Sequence, residues 1–328
     1  MAMSPAAHRV VPLRPAGRPD IVVLRALGLG DLLTGIPALR GLRRAHPDAH
    51  ITLAAPERFC QLAMLSGAID EIDPTPGLGR LHPRRRNPDV AVNLHGSGPE
   101  SIADLLGLKP KTLLTHRHSD YPELQGPPWR ADLHEVDRWC GMLEWHGIPC
   151  NPDDLAIPRP HGYPDRSGVV VIHPGAAAAA RRWPADRFAA VAAQLRRAGH
   201  DVVITGDCNE LDLARSVAHQ AGLPESSVLA GTLGLLGLVA LISDCRLLVC
   251  GDTGVGHVAT ATGTPSVVLF GPTPPSRWGP RGNGPHIAIW AGDKGDPHAA
   301  EPHSGLLLIT ASRVIEAVDS LLRVPTCQ

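Results

Sequence analysis

Three residues in immediate succession, Asp252-Thr253-Gly254, followed by Val255-Gly256-His257, stand between two short apolar runs at 247–250 and 266–270. Runs of that length, rich in Val and Leu, have the character of buried parallel strands. Between them, 256–263 reads Gly-His-Val-Ala-Thr-Ala-Thr-Gly, a short helix of small residues able to pack closely on a sheet. The Asp-Thr-Gly turn is thus expected at the carboxyl end of a strand and the amino end of a helix. Free backbone N–H groups and the helix dipole favour an anion at such a place, most obviously a phosphate. The same residues also suit an ordinary strand–helix turn, with Asp252 or Thr253 capping and the glycines relieving strain.

Other reactive side chains recur at similar junctions. Asp31 closes Gly28-Leu29-Gly30-Asp31 after a strand at 21–25 and opens a helix over 32–45. The third glycine of a dinucleotide fingerprint is absent, so a nicotinamide site is rejected, and Asp31 reads locally as a cap or first-turn carboxylate. A strand at 89–94 ends in His95-Gly96-Ser97-Gly98. Open α/β sheets bind ligands at that edge, which makes His95 and Ser97 candidates for lining an acceptor cleft. Arg181 precedes Trp183-Pro184 and a helix over 185–198, where it also fits an exposed arginine near a helix start. Glu210 follows a strand at 202–205, and its local reading is a first-turn carboxylate complementing the helix dipole. His116 and His118 alternate without further ligands at recognisable spacing, so no metal site is assigned.

The whole stretch 249–280 is more specific than its parts. Asp-Thr-Gly-x-x-His, then Ala-Thr-Gly-Thr-Pro, then Leu-Phe-Gly-Pro-Thr-x-Pro closely resembles the heptosyltransferases of glycosyltransferase family 9. The resemblance extends over roughly residues 20–325. It implies a GT-B fold, two Rossmann-like doubly wound domains facing a cleft, and inverting transfer of a sugar, heptose from ADP-heptose above all, onto a hydroxyl. It also implies roles for individual residues. Asp31 matches the position of the proposed catalytic base. Arg181 matches a cation that contacts donor phosphate, usually a lysine in relatives. Glu210 matches an acidic residue near the nucleotide ribose. The loop Asp252 to His257 binds the donor, with Asp252 bonding sugar hydroxyls and His257 orienting the loop. This chain departs from the family at 176–180, five alanines where relatives often carry hydroxyls. No cofactor and no metal are expected beyond the nucleotide-sugar co-substrate, since the family generally works without a divalent ion. Two rival classes share the scaffold: a nucleotide-sugar epimerase and a non-catalytic nucleotide-sugar-binding protein.

The elements that must position these residues alternate strand and helix, the signature of doubly wound α/β sheets. At 328 residues the chain suits two domains, each able to bury its own core. The expected layout is a disordered leader over 1–20, an acceptor domain over 21–150 and a Pro- and Asp-rich linker over 151–166. A nucleotide-sugar domain follows over 167–310, then a C-terminal helix and tail over 311–328. Further helices are expected within 57–73, over 134–147 and over 233–243. Residues 110–132 and the stretch from 281 to 310 read as irregular. A net charge of -1 argues against bulk electrostatic binding to nucleic acid or anionic membrane. No apolar run reaches the length of a membrane span, which leaves peripheral association with a membrane open. The cysteine count is odd, seven, with no Cys-x-x-Cys pair, which fits reduced thiols in the cytoplasm. The partners expected are a nucleotide-sugar donor and a glycan or small-molecule acceptor. The acceptor and the oligomeric state are left open.

Overall fold

The computed structural model describes residues 18–81, 87–282 and 284–323. The leader expected over 1–20 lies largely outside the described residues, as does the arginine run 84–86. The chain divides into two compact units between Leu155 and Ala156.

The first unit runs β1 (Asp20–Leu24), α1 (Leu29–Ala45), β2 (His50–Ala55), α2 (Cys60–Met64), β3 (Glu71–Pro74) and β4 (Val90–Asn93), then α3 (Pro99–Leu106), β5 (Thr112–Leu114) and α4 (Glu135–Trp145). All its strand pairs are parallel, in the order β3-β2-β1-β4-β5. Ile21 to Leu24 are fully buried, as befits a central strand covered on both faces. The order reverses between β1 and β4. At such a reversal the loops that follow the two strands diverge, and open α/β sheets bind ligands in the crevice between them. Two expectations are corrected. The helix sought within 57–73 is a single 3₁₀ turn, Glu57–Phe59, followed by the five residues of α2. Ser66-Gly67 ends it, with Gly67 at φ 66°. The segment 110–132 is not wholly irregular, because Thr112 to Leu114 add β5 to the sheet beside β4.

The second unit runs β6 (Val170–His173), α5 (Ala185–Arg197), β7 (Val202–Ile204), α6 (Leu211–Gln220), α7 (Leu235–Asp244), β8 (Leu247–Gly251) and α8 (Gly254–Thr262). It continues with β9 (Ser266–Phe270), α9 (Pro275–Trp278), β10 (His286–Trp290), α10 (Ser304–Leu307) and α11 (Ala311–Leu322). The strand order is β10-β9-β8-β6-β7, again parallel, with its reversal between β6 and β8. Both faces are packed, with Trp183, Phe188, Val191, Val249, Leu269 and Val314 among the core residues. The stretch 281–310 is corrected in the same sense as 110–132: it contains β10, paired with β9 from His286↔Ser266 to Trp290↔Phe270. The small-residue helix expected over 256–263 is α8, and Gly263 at φ 71° ends it in the left-handed conformation.

Candidate active site

In the first unit, Asp31 lies in the first turn of α1. Its Oδ2 accepts from the Gly28 N–H at 3.0 Å, so one carboxylate oxygen does serve the helix start. The other, Oδ1, stands 3.8 Å from Nη2 of Arg25. Arg25, the residue after β1, is 1% exposed, and Gly35 makes room for it: a Cβ there would sit 2.9 Å from its Cδ. The guanidinium donates to the carbonyls of Asp31 and Leu94, to Thr34 Oγ1 at 3.1 Å and to Glu135 Oε1 at 3.3 Å. Its Cζ stands 5.1 Å from the centre of the Trp139 ring. Glu135 in turn accepts from the Trp139 indole N–H at 2.8 Å and pairs with Arg138 through its other oxygen.

Burial pushes the Asp31 carboxyl above its usual range, against the pull of Arg25 and with the help of Glu135. His95, at the end of β4, accepts from the Ala26 N–H through Nδ1 at 3.2 Å. Burial and then Arg25 hold its pKa down at about 4, so the ring is neutral and carries its proton on Nε2. Ser97 lies half-buried in the same turn, ahead of α3. The β1 and β4 loops thus bring Asp31 and His95 to the reversal point of their sheet.

The second unit repeats this placement with different chemistry. Asp252 follows β8, and its carboxyl is buried, which pushes its pKa up to about 6 with Arg181 opposing. Thr253 is the N-cap of α8 by its extended backbone, but its hydroxyl does not close the cap. The first N–H groups of α8, beginning at Gly254 and Val255, have no acceptor within the helix. Arg181 sits at the end of a 3₁₀ turn, Ala179–Arg181, after β6, and donates from Nη1 to the Asp252 carbonyl at 3.3 Å. Its Nε is buried without a partner among the described residues. A cation, a helix amino terminus and a buried acid therefore converge at the reversal point between β6 and β8.

Glu210 closes the next loop, after β7. Its Oε2 accepts from the Asp207 N–H at 3.0 Å, while Asp207 accepts from the Glu210 N–H at 3.0 Å. The carboxylate lies over Gly175, where a Cβ would come within 2.0 Å of Oε1. His173, held neutral at about 4 by burial, has Nε2 3.9 Å from the same carboxylate. His257 packs edge-on against Trp278, ring centres 5.7 Å apart, and with Asp252, Thr253, Gly256 and Phe270 they line a small pocket. Reading the sequence missed Trp278, Glu135 and Trp139. A tryptophan in the Arg-Trp-Gly-Pro run was the available signal for the first; the other two sit on a helix whose pattern shows only amphipathicity.

Comparison with characterised proteins bears on this arrangement. The chain is 33% identical over 333 residues to lipopolysaccharide heptosyltransferase 3 of Escherichia coli K12, covering 89% of this chain and 95% of that one. The chain belongs to glycosyltransferase family 9. The model of this family, glycosyltransferase family 9 (heptosyltransferase), matches residues 153–298. Lipopolysaccharide heptosyltransferase 1 of Pseudomonas aeruginosa is 32% identical, covering 80% of this chain and 81% of that one.

Among solved structures, the family 9 glycosyltransferase of Veillonella parvula DSM 2008 superposes with a TM-score of 0.74 at 24% identity, covering 93% of this chain and 97% of that one. The ADP-heptose lipopolysaccharide heptosyltransferase II of E. coli gives 0.71 at 22% identity, covering 92% and 98%. The fold of this family 9 protein is GT-B, and its activity class is glycosyl transfer rather than epimerisation or binding alone. Among the described residues, no helix is long and apolar enough to cross a membrane.

Proposed function

We propose that this glycosyltransferase moves heptose from ADP-heptose onto a hydroxyl of a lipopolysaccharide-type glycan, with inversion at the anomeric carbon. The observation that carries the reading is the pairing of Arg181 with the Asp252 backbone at the amino end of α8. That geometry supplies one guanidinium and unspent helix N–H groups to a single anion, which is the need of a departing nucleoside diphosphate. In the reaction, Asp31 takes the proton of the acceptor hydroxyl, whose oxygen attacks the anomeric carbon. The bond from that carbon to the diphosphate breaks, and the electron pair leaves with ADP. A carboxyl whose pKa is raised by burial is a stronger base than an ordinary aspartate, which suits this task. Glu210, held over Gly175, offers its carboxylate to the ribose hydroxyls.

The relatives named for lipopolysaccharide or ADP-heptose support the choice of donor and acceptor class. A nucleotide-sugar donor and free, scattered thiols fit a cytoplasmic enzyme. The test is a thermal-shift series with ADP, UDP and GDP. Ligand at 100 times its dissociation constant stabilises by about 2.7 kcal/mol. ADP is expected to give the largest shift, and a preference for UDP or GDP would reject ADP-heptose while leaving the fold untouched.

A further inference from the structure

Four charged side chains meet behind the first-unit crevice: Arg25 after β1, Asp31 on α1, and Glu135 with Arg138 on α4. Arg25, Glu135 and Arg138 are each 5% exposed or less. Burying so many charges is costly, and replacing such clusters by apolar residues is often neutral or stabilising. Stability alone is therefore a poor reason for keeping this one, and its geometry suggests another.

Arg25 has two carboxylates within reach and bonds to only one. Its Nη2 stands 3.3 Å from Glu135 Oε1 but 3.8 Å from Asp31 Oδ1, outside hydrogen-bonding distance. Nη2 also donates to Thr34 Oγ1, and Nε and Nη1 are committed to the Asp31 and Leu94 carbonyls. Glu135 is itself fixed by the Trp139 indole on one oxygen and by Arg138 on the other. We propose that Glu135 is a positioning residue that holds the Arg25 guanidinium off the Asp31 carboxylate, leaving Oδ1 of Asp31 free for the acceptor.

Without that restraint, the nearest anion for Arg25 is Asp31 itself. Closing the 3.8 Å ion pair to a hydrogen bond would occupy Oδ1 and make the carboxylate a weaker base. The groups that face Asp31 from neighbouring elements support the assignment. From β1 comes Arg25, from the β4 loop a neutral His95, and from α4 Glu135 with its partner Arg138. Glu135 is the negative member of this set besides Asp31, so it is the member able to draw Arg25 away. Asp31 responds to both: Arg25 pulls its pKa down and Glu135 pushes it up.

This inference rests on Asp31 being the base, and the test separates the two ideas. The carboxyl ¹³C resonances of aspartate-labelled enzyme are titrated without substrate, Asp31 being assigned by its loss in Asp31→Asn. In Glu135→Gln, the Asp31 titration is expected to move down by about one pH unit or more, because the repulsion of Glu135 is lost and the guanidinium is released toward Asp31. Glu135→Asp keeps the charge but withdraws the carboxylate by one methylene. Because the negative charge stays, a downward move of Asp31 in this variant reports the released guanidinium, and it decides the positioning role. An Asp31 titration that stays in place or rises in the folded variants would overturn the positioning role. Activity of Asp31→Asn is a separate measurement: wild-type turnover there would remove Asp31 as base whatever the resonances show.

Discussion

Asp252→Asn is expected to make the protein more stable above pH 6, an unusual outcome for a change at a candidate active site. The folded carboxyl has a pKa of about 6 against 3.8 for an unburied aspartate, because burial penalises its charge more than Arg181 relieves it. Between these values the folded state keeps a proton that the unfolded chain has released. Stability therefore falls as pH rises from about 4 to about 6 and stays lower above, by roughly 3 kcal/mol at 1.4 kcal/mol per pH unit. Asparagine has the same shape and never ionises, so it escapes that loss.

The new amide N–H₂ must find acceptors, which offsets ~1–2 kcal/mol. A net gain of ~1–2 kcal/mol is left at pH 7.5, and for a domain of this size each kcal/mol moves Tm by about 2–4 °C. The assay is a pair of melting curves for each protein, at pH 4.5 and pH 7.5. Other groups titrate alike in both proteins and cancel in the difference. Asp252→Asn should gain on wild type by several degrees at pH 7.5 relative to its standing at pH 4.5. A difference between the two proteins that does not change with pH would refute the buried, destabilised carboxylate.

Three further outcomes follow from the same geometry. Arg181→Ala should weaken ADP binding by ~1.5–3 kcal/mol in calorimetry, the usual loss for a charge-assisted bond; unaltered binding would move the phosphate site elsewhere. Asp31→Asn should lower turnover by roughly 10²–10⁴. Its melting point should stay close to wild type, because the amide oxygen can still accept from the Gly28 N–H. Asp31→Ala loses that bond as well and should cost ~1 kcal/mol, so an active Asp31→Asn enzyme leaves Asp31 as a helix cap alone. Gly175→Ala should displace the Glu210 carboxylate from the Asp207 N–H at a cost of ~1 kcal/mol, and weaken ADP binding several-fold. Equal ADP affinity in that variant would disconnect Glu210 from the ribose.

The parts of the fold legible in the sequence are those with strong local patterns. The buried strands β1, β6, β8 and β9 are built mostly of Val, Ile and Leu, and Ala311–Leu322 is an amphipathic helix with the expected ends. Edge strands are harder to see. β5 has three residues and, among the described residues, pairs only with β4, while β10 reads His-Ile-Ala-Ile-Trp amid Gly and Pro, with four of its five residues not buried. Neither needs the continuous apolar run that a central strand does.

The site follows the same division. Asp31, Arg181, Glu210 and Asp252 are legible as candidates because each stands in a loop after a strand, within a recognisable motif. Glu135 was not, because a charged residue at the start of an amphipathic helix is ordinarily a solvated one. Only the path of Arg25, which reaches from β1 across Gly35 to α4, reveals that this charge faces inward.

The alanine-rich loop after β6 has a further consequence. Its course is fixed by main-chain contacts. A Cβ on Gly251 would meet the Arg181 carbonyl at 2.9 Å, and one on Gly271 would meet the Ala180 carbonyl at 3.2 Å. Ala176 and Ala180 are buried anchors, whereas Ala177 is exposed and Ala178 and Ala179 are half-exposed. Shape and chemical character are thus written in different atoms of one loop. Positions 177–179, exposed or half-exposed, can each take a serine hydroxyl in place of a methyl hydrogen without rerouting the backbone, so the loop's outward chemistry can change while the scaffold beneath stays constant.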